Sequence, residues 1–357
     1  MKPEKISSLH DDLLVPKATE HLGEYSTYPE RFNPEDKSVL TRLEQFGVDI
    51  PTAEEKFGKK IGEFSWGEYS RLVAESVRGK YDVIVGSVFD SYMFPNPENP
   101  DRDTRWNKMI SLVGQYKQMG ESCGINLIKR GGDFKNQDNL VLGLEAGAHL
   151  IQSVEDLKVL IDLGVKIFGF QYNKPTPLAD TNGLTELGIS VARHIFDHNL
   201  IIDLAHSNFN TRKGIMRLAK DLNKGSLVSY THGSVEEDID EAWRDKMGDR
   251  ALTSEEMTDL ISMGGIIGLG VTKPFFSSTR KVAERIDATS QITGGINSLA
   301  IGTDFGGIPP EFLNEIRNPD DFSKLADILS TEFNLNDEQI KKVLRTNARE
   351  WIQKAIE

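Results

Sequence analysis

Cysteine is nearly missing from this chain: Cys123 is the only one in 357 residues, so no disulfide can form within it and a cysteine-rich zinc or iron–sulfur centre is excluded. Long apolar runs are missing too. No stretch approaches the roughly 20 apolar residues of a membrane span. Basic charge is in the minority, with 42 Lys and Arg against 55 Asp and Glu and a net charge of −13. Such a surface repels phosphate backbones and anionic lipid, so neither nucleic acid nor membrane is expected as a partner. There is no G-x-G-x-x-G and no P-loop, which argues against a nucleotide-binding open sheet. The opening "MKPEKISSLHDDLL" has no apolar core of signal-peptide length, and "REWIQKAIE" at the other end has no lipidation cysteine. With no Asn-x-Ser/Thr acceptor anywhere, these features point to the cytoplasm.

What the chain does have is a rhythm. Short apolar runs occur at 5–12 (weak), 82–90, 139–147, 165–173, 199–207, 225–233, 264–272 and 297–305. Amphipathic stretches at 153–163, 184–198, 210–223, 253–263 and 337–355 are expected to be helices. Thr253 with Glu256 makes a capping box for the fourth of these. Near-continuous apolar strands alternating with helices indicate a parallel sheet covered on both faces. Eight of them, each returning through a helix, predict a single (β/α)8 barrel domain spanning 1–357. Residues 13–80 are expected to elaborate the first βα connection. Residues 93–104, "MFPNPENPDRDT", are expected to form an irregular loop over the barrel mouth.

The ends of these runs carry the chemistry. The C-terminal ends of barrel strands build the active site. The first run ends in His10-Asp11-Asp12, the third in Glu145, the fifth in His206, the sixth in His232 and the eighth in Asp304. Three of the seven histidines therefore share one position on different strands. Buried acids and imidazoles are costly without partners, so they are expected to surround something cationic. Nitrogen and carboxylate ligands without cysteine suit zinc, with manganese or iron as alternatives. Six such side chains exceed what one zinc takes from protein, and a two-metal site with a bridging carboxylate accommodates them.

The other candidates have plainer readings. His194 and His198 solvate a helix end, His21 lies in a polar loop, and Cys123 is a small core or surface residue. His149 follows Glu145 closely enough for a supporting role. Asp203 faces away from His206 by strand alternation and is expected to be structural.

The ordered set resembles the membrane (renal) dipeptidase family of zinc peptidases. "LHDDLL" resembles its H-x-D opening, "LGLEAG" its E-G-G segment with Ala146 for a glycine, and "PLAD" the motif after the fourth strand. "IDLAHSN" and "VSYTHGS" resemble its two histidine motifs, "RALTSEE" its R-N-L-x-D-E segment and "IGTDFGG" its G-x-D-F-D-G. The resemblance implies a usually dimeric (β/α)8 barrel that cleaves dipeptides and related short amides through a hydroxide bridging two zinc ions. It further implies that His10 and Asp12 hold one zinc, that His206 and His232 hold the second, and that Glu145 bridges both. Asp304 would stand by the first metal and handle the proton, and Arg250 would pair with the substrate's free carboxylate. Tyr172 falls where the family has an oxyanion-stabilising histidine, Gly306 replaces the second acid of D-F-D-G, and the stretch between His232 and Arg250 is longer and acidic. These departures leave two alternatives beside the dipeptidase: a metal-dependent hydrolase of another amide or ester, and a non-catalytic metal-barrel protein that binds a small carboxylate.

Overall fold

The computed structural model describes residues 5–11, 43–60, 66–89, 100–136, 138–239, 241, 243–244, 249–307 and 312–357. Asp12, His21, the side chain of His10 and most of the 93–104 stretch lie outside the described residues.

Eight parallel strands close into a barrel in chain order, as expected. They are β1 (Ile6–Asp11), β2 (Tyr81–Phe89), β3 (Asn139–Ala146), β4 (Val165–Gly169), β5 (Ile201–Asp203), β6 (Val228–Tyr230), β7 (Ile266–Leu269) and β8 (Leu299–Ile301). Every residue of β2 and β3 is buried, which is why these strands read as near-continuous apolar runs, with Asp82, Ser87, Asn139 and Glu145 as the polar exceptions. The two stay in register from Val83 opposite Asn139 as far as Phe89 opposite Ala146, with an irregularity after Val88. Closure comes where β1 meets β8, with Ser8 opposite Ile301. The Thr303 amide donates to the Ser8 hydroxyl at 3.2 Å, extending that seam past the last ladder residue.

Several apolar runs are longer than the strands they produce. The 199–207 run gives only Ile201–Asp203, and 225–233 gives only Val228–Tyr230. At the barrel mouth the chain must turn to feed the next helix. The ladder therefore gives way to single bonds such as Leu204 N to Ser229 O at 2.8 Å.

The helices begin at this same end of the barrel, and most carry a polar N-cap. The first connection holds α1 (Ile50–Phe57) and α2 (Trp66–Val77), and α3 (Arg102–Cys123) follows β2, capped by Asp101. Next come α4 (Val154–Asp162), α5 (Glu186–Asp197) and α6 (Phe209–Asp221), capped by Ser153, Thr185 and Asn208. The capping box of α7 (Ser254–Ser262) forms as expected, with Thr253 and Glu256 each bonding the other's backbone amide. The chain continues through α8 (Thr279–Thr293), α9 (Phe322–Thr331), α10 (Asp337–Lys341) and α11 (Asn347–Ala355). The single helix expected over 337–355 is interrupted by a π-helical turn at Lys342–Thr346, which joins α10 to α11. A two-residue strand, Asn126–Leu127, and a hairpin of Ala179–Asp180 with Gly183–Leu184 add to the expected set.

The π turn places Arg345 against Asp82, at the start of β2, with Nε to Oδ2 at 2.8 Å. Arg349 of α11 meets the other oxygen of the same carboxylate. Asp82 is 1% exposed, so the C-terminal segment is stapled to the closed end of the barrel by one buried acid and two partly exposed arginines. Removing one side of a buried pair costs about 3–5 kcal/mol when the partner stays buried, and less here because the arginines reach solvent. Asp82→Ala is expected to cost about 2 kcal/mol in urea unfolding. A loss within a few tenths of a kcal/mol would mean that the staple is not stabilising.

Candidate metal centre

Three of the expected ligands meet. Glu145, on β3, and His206 and His232, just past β5 and β6, each offer an atom within 4.8 Å of the others. His206 Nε2 is 3.1 Å from Glu145 Oε1 and 2.8 Å from His232 Nε2, and His232 Nε2 is 3.8 Å from the same oxygen. Glu145 and His232 are buried, while His206 is partly open to the mouth.

The partners of the outer ring nitrogens decide what the inner ones carry. His206 Nδ1 is 3.0 Å from Asn173 Oδ1, an oxygen that only accepts, so the proton sits on Nδ1. His232 Nδ1 is 3.1 Å from the Thr231 hydroxyl. That hydroxyl donates its one proton to Asp203 Oδ2 at 2.6 Å, so it accepts from the ring. Both Nε2 atoms point at each other and at a carboxylate oxygen, the atoms through which a metal would be held. Two imidazole nitrogens and a carboxylate oxygen converging on one point are a good donor set for zinc. The residues present fit a metal.

Each of these candidate ligands is fixed from behind. Ser87 donates to Glu145 Oε2 at 3.2 Å, and Tyr116 donates to the Ser87 carbonyl at 2.8 Å. His206 is held in the left-handed backbone region, at φ 61°, and its carbonyl accepts from the Asn173 amide at 3.3 Å. Asp203 accepts from the Thr231 amide at 2.8 Å as well as from its hydroxyl. Gly302 brings the end of β8 against β6. A Cβ there would stand 1.9 Å from Thr231 O and 2.9 Å from His232 Cβ.

The remaining candidates fall around this group. Asp304 follows β8, half-buried at φ 55°, and is not a member of the three-residue set. The His10 backbone lies in β1, whose C-terminal end opens on the same mouth. Tyr172 stacks on His206, with ring centroids 4.1 Å apart and planes 23° apart, and meets Phe89 edge-on at 5.2 Å. Arg250 is half-buried. Burial pushes its guanidinium pKa down, and the neighbouring Tyr172, Tyr230 and Asp249 push it back up. The Arg250 carbonyl accepts from Tyr230 at 3.1 Å. The acidic stretch after His232 is closed at its neck, where Leu252 N donates to Ser234 O at 3.1 Å and Glu236 N to Leu252 O at 2.9 Å.

His194 and His198 lie together at the end of α5, their ring centroids 4.2 Å apart and their planes tilted by 37°, and His198 Nδ1 meets the His194 carbonyl at 2.8 Å. His149 contacts Arg105, and Cys123 is half-buried. Asp203 was expected to be structural, and its support of His232 through Thr231 was missed. The signal was there: a carboxylate inside an apolar run must be paired with something. Asn173 carried no comparable signal.

A closed parallel barrel with imidazole and carboxylate side chains gathered at the C-terminal strand ends is an arrangement suited to metal-assisted hydrolysis. Residues 126–355 match the family model of membrane dipeptidase, peptidase family M19. The chain belongs to that family, and is a metallohydrolase of the dipeptidase class. The matched span holds every site candidate except His10 and Asp12. Solved structures share the fold. A metallopeptidase from Rhodobacter sphaeroides, liganded with a phosphinate mimic of the dipeptide L-Ala-D-Ala, is 13% identical with a TM-score of 0.67, covering 98% of this chain and 99% of its own. The M19 metallopeptidase called dipeptidase AC is 15% identical with a TM-score of 0.65, over 89% and 96% of the two chains. The probable dipeptidase PvdM from Pseudomonas aeruginosa is 15% identical with a TM-score of 0.65, over 79% and 88%.

The support behind His232 yields a test. Loss of an outer partner of a metal-bound imidazole typically costs about 10- to 100-fold in metal affinity. Asp203→Asn is expected to weaken zinc binding by that factor, read by competition with a chromogenic chelator, while circular dichroism stays native. Unchanged affinity would leave Asp203 with the structural role alone.

Proposed function

We propose that this enzyme hydrolyses the peptide bond of dipeptides or related short amides with two zinc ions per chain, as a single-domain barrel working in the cytoplasm as a homodimer. The observation that carries the reading is the meeting of the Glu145 carboxylate with the His206 and His232 imidazoles at the mouth that Arg250 borders. His206 and His232 would hold one zinc, His10 and Asp12 the other, and Glu145 both. The bound metal supplies Lewis acidity for the scissile carbonyl and lowers the pKa of water.

The chain's own groups do the rest. Arg250 grips the free carboxylate one residue beyond the scissile bond. Its partial burial favours this, because an incoming anion offsets the cation's lost hydration. Asp304 takes the proton from the attacking water and passes it to the leaving amine. Tyr172 donates to the oxygen on which negative charge develops, with its ring fixed by stacking on His206. The dipeptide mimic on the Rhodobacter relative supports a dipeptide as the substrate class.

Elemental analysis of protein purified without chelator is expected to give about two zinc per chain, from the ligand count. Glu145→Gln is expected to lose both, because a bridge serves both positions; loss of one would make Glu145 a terminal ligand. Acid is expected to release the metal by protonating the imidazoles, with activity recovered on adding zinc at neutral pH. Activity that survives long incubation with a strong chelator would rule out metal catalysis.

Arg250→Ala decides the substrate class. Loss of a charge-assisted pair that leaves its partner buried costs about 2–4 kcal/mol, or roughly 30- to 1000-fold in kcat/KM. That loss is expected on free dipeptides and not on their C-terminal amides. An equal loss on both, or none on either, would move the assignment to a metal-dependent hydrolase of another amide or ester.

A further inference from the structure

Arg212 is fully buried, at 0% exposure, in the first turn of α6. That is the end of a helix where the backbone dipole disfavours a cation, so something must compensate. Nε and Nη2 meet the two oxygens of Glu256 at 2.8 and 2.9 Å. Nη1 donates to two backbone carbonyls, Ser207 O at 2.7 Å and Asp249 O. Ser207 follows the ligand His206, and Asp249 precedes Arg250. One nitrogen thus joins the segment that carries a metal ligand to the segment that carries the carboxylate receptor.

Other bonds hold the Arg250 segment in the same place. Asp249 Oδ2 accepts from the Phe209 amide at 2.9 Å, and the Arg250 carbonyl accepts from Tyr230. Glu256 is fixed in turn by the capping box of α7. The guanidinium suits this position because its planar fork engages a carboxylate with two nitrogens and still aims a third elsewhere; an ammonium cannot.

We propose that Arg212 is a positioning residue that sets the distance between the metal centre and Arg250, and with it the length of substrate accepted. The proposal rests on the reading of Arg250 as the carboxylate receptor. Each added residue moves a peptide's carboxylate by about 3.3–3.6 Å, so a rigid spacing admits a chain that ends one residue past the scissile bond and rejects a longer one. If the spacing loosens, free dipeptides lose their advantage while substrates that never used Arg250 are unaffected.

The test uses zinc-loaded enzyme with a free dipeptide, its C-terminal amide and the same peptide extended by one glycine. Arg212→Lys keeps the charge and loses the fork. Arg212→Met with Glu256→Met removes both buried charges together, which spares the fold an unpaired ion, and decides the matter if the lysine variant does not fold. In both, KM for the free dipeptide is expected to rise about tenfold, with kcat/KM for the amide within about twofold of wild type and zinc content unchanged. The preference for the dipeptide over the extended peptide is expected to fall by a similar factor. A proportional loss on all three substrates, or unchanged ratios, would overturn the role of Arg212. Wild-type enzyme that does not distinguish the free dipeptide from its amide would instead overturn the reading of Arg250, and this proposal with it.

Discussion

The convergence of three donor atoms is the constraint on which this site depends. Two imidazole nitrogens 2.8 Å apart lie beside a carboxylate oxygen, and their use as ligands requires that each ring be held in one orientation. The rings cannot turn freely here. Asn173 and Thr231 fix which nitrogen of each carries the proton, and Asp203 fixes the Thr231 hydroxyl. The orientation of the donors is therefore set by the fold before a metal binds, which lowers the ordering cost of binding. Each support comes from the element next to the one that bears the ligand: β3 is backed by β2, the β5 end by the β4 end, and the β6 end by β5.

The backbone contributes as well. His206, Asp304 and Asn173 all have φ between 55° and 61°, where most side chains are strained. All three follow a strand that ends early. A straight continuation of each strand would carry its side chain past the mouth; a left-handed residue turns the chain sharply at the last position above the barrel axis. Strained residues of this kind persist where surrounding bonds over-determine them, and the reciprocal bonding of Asn173 with His206 is such a case.

The barrel was legible because parallel strands buried on both faces leave near-continuous apolar runs, and β2 and β3 are buried along their whole length. Glu145, His206 and His232 were legible because a charge or an imidazole at the end of such a run is conspicuous. Strand alternation was a poorer guide. The strand ends at Asp203, so alternation does not reach His206, and it did not show that the carboxylate bonds the Thr231 hydroxyl behind His232. Arg212 was invisible for a different reason: two of its partners are backbone carbonyls, which every residue has. The capping box at Thr253 was read correctly, yet the same Glu256 holds a buried arginine, a second role that a local pattern cannot reveal.

The closed neck between Ser234 and Leu252 separates two kinds of sequence change. Once the ends of a loop are bonded together, its length enters the folding free energy only logarithmically, at about 0.6 kcal/mol per doubling. Within the acidic segment, however, Asp238 accepts from Nε and Nη2 of Arg285 at 2.6 and 2.8 Å, and Ile239 and Ala251 are buried against Trp243 and Phe275. A change there is tolerated only where it leaves those contacts and the Tyr230 bond to the Arg250 carbonyl in place. A designer wishing to graft a new recognition element beside the mouth would therefore keep Asp238, Ile239 and Ala251 as the fixed points of the graft.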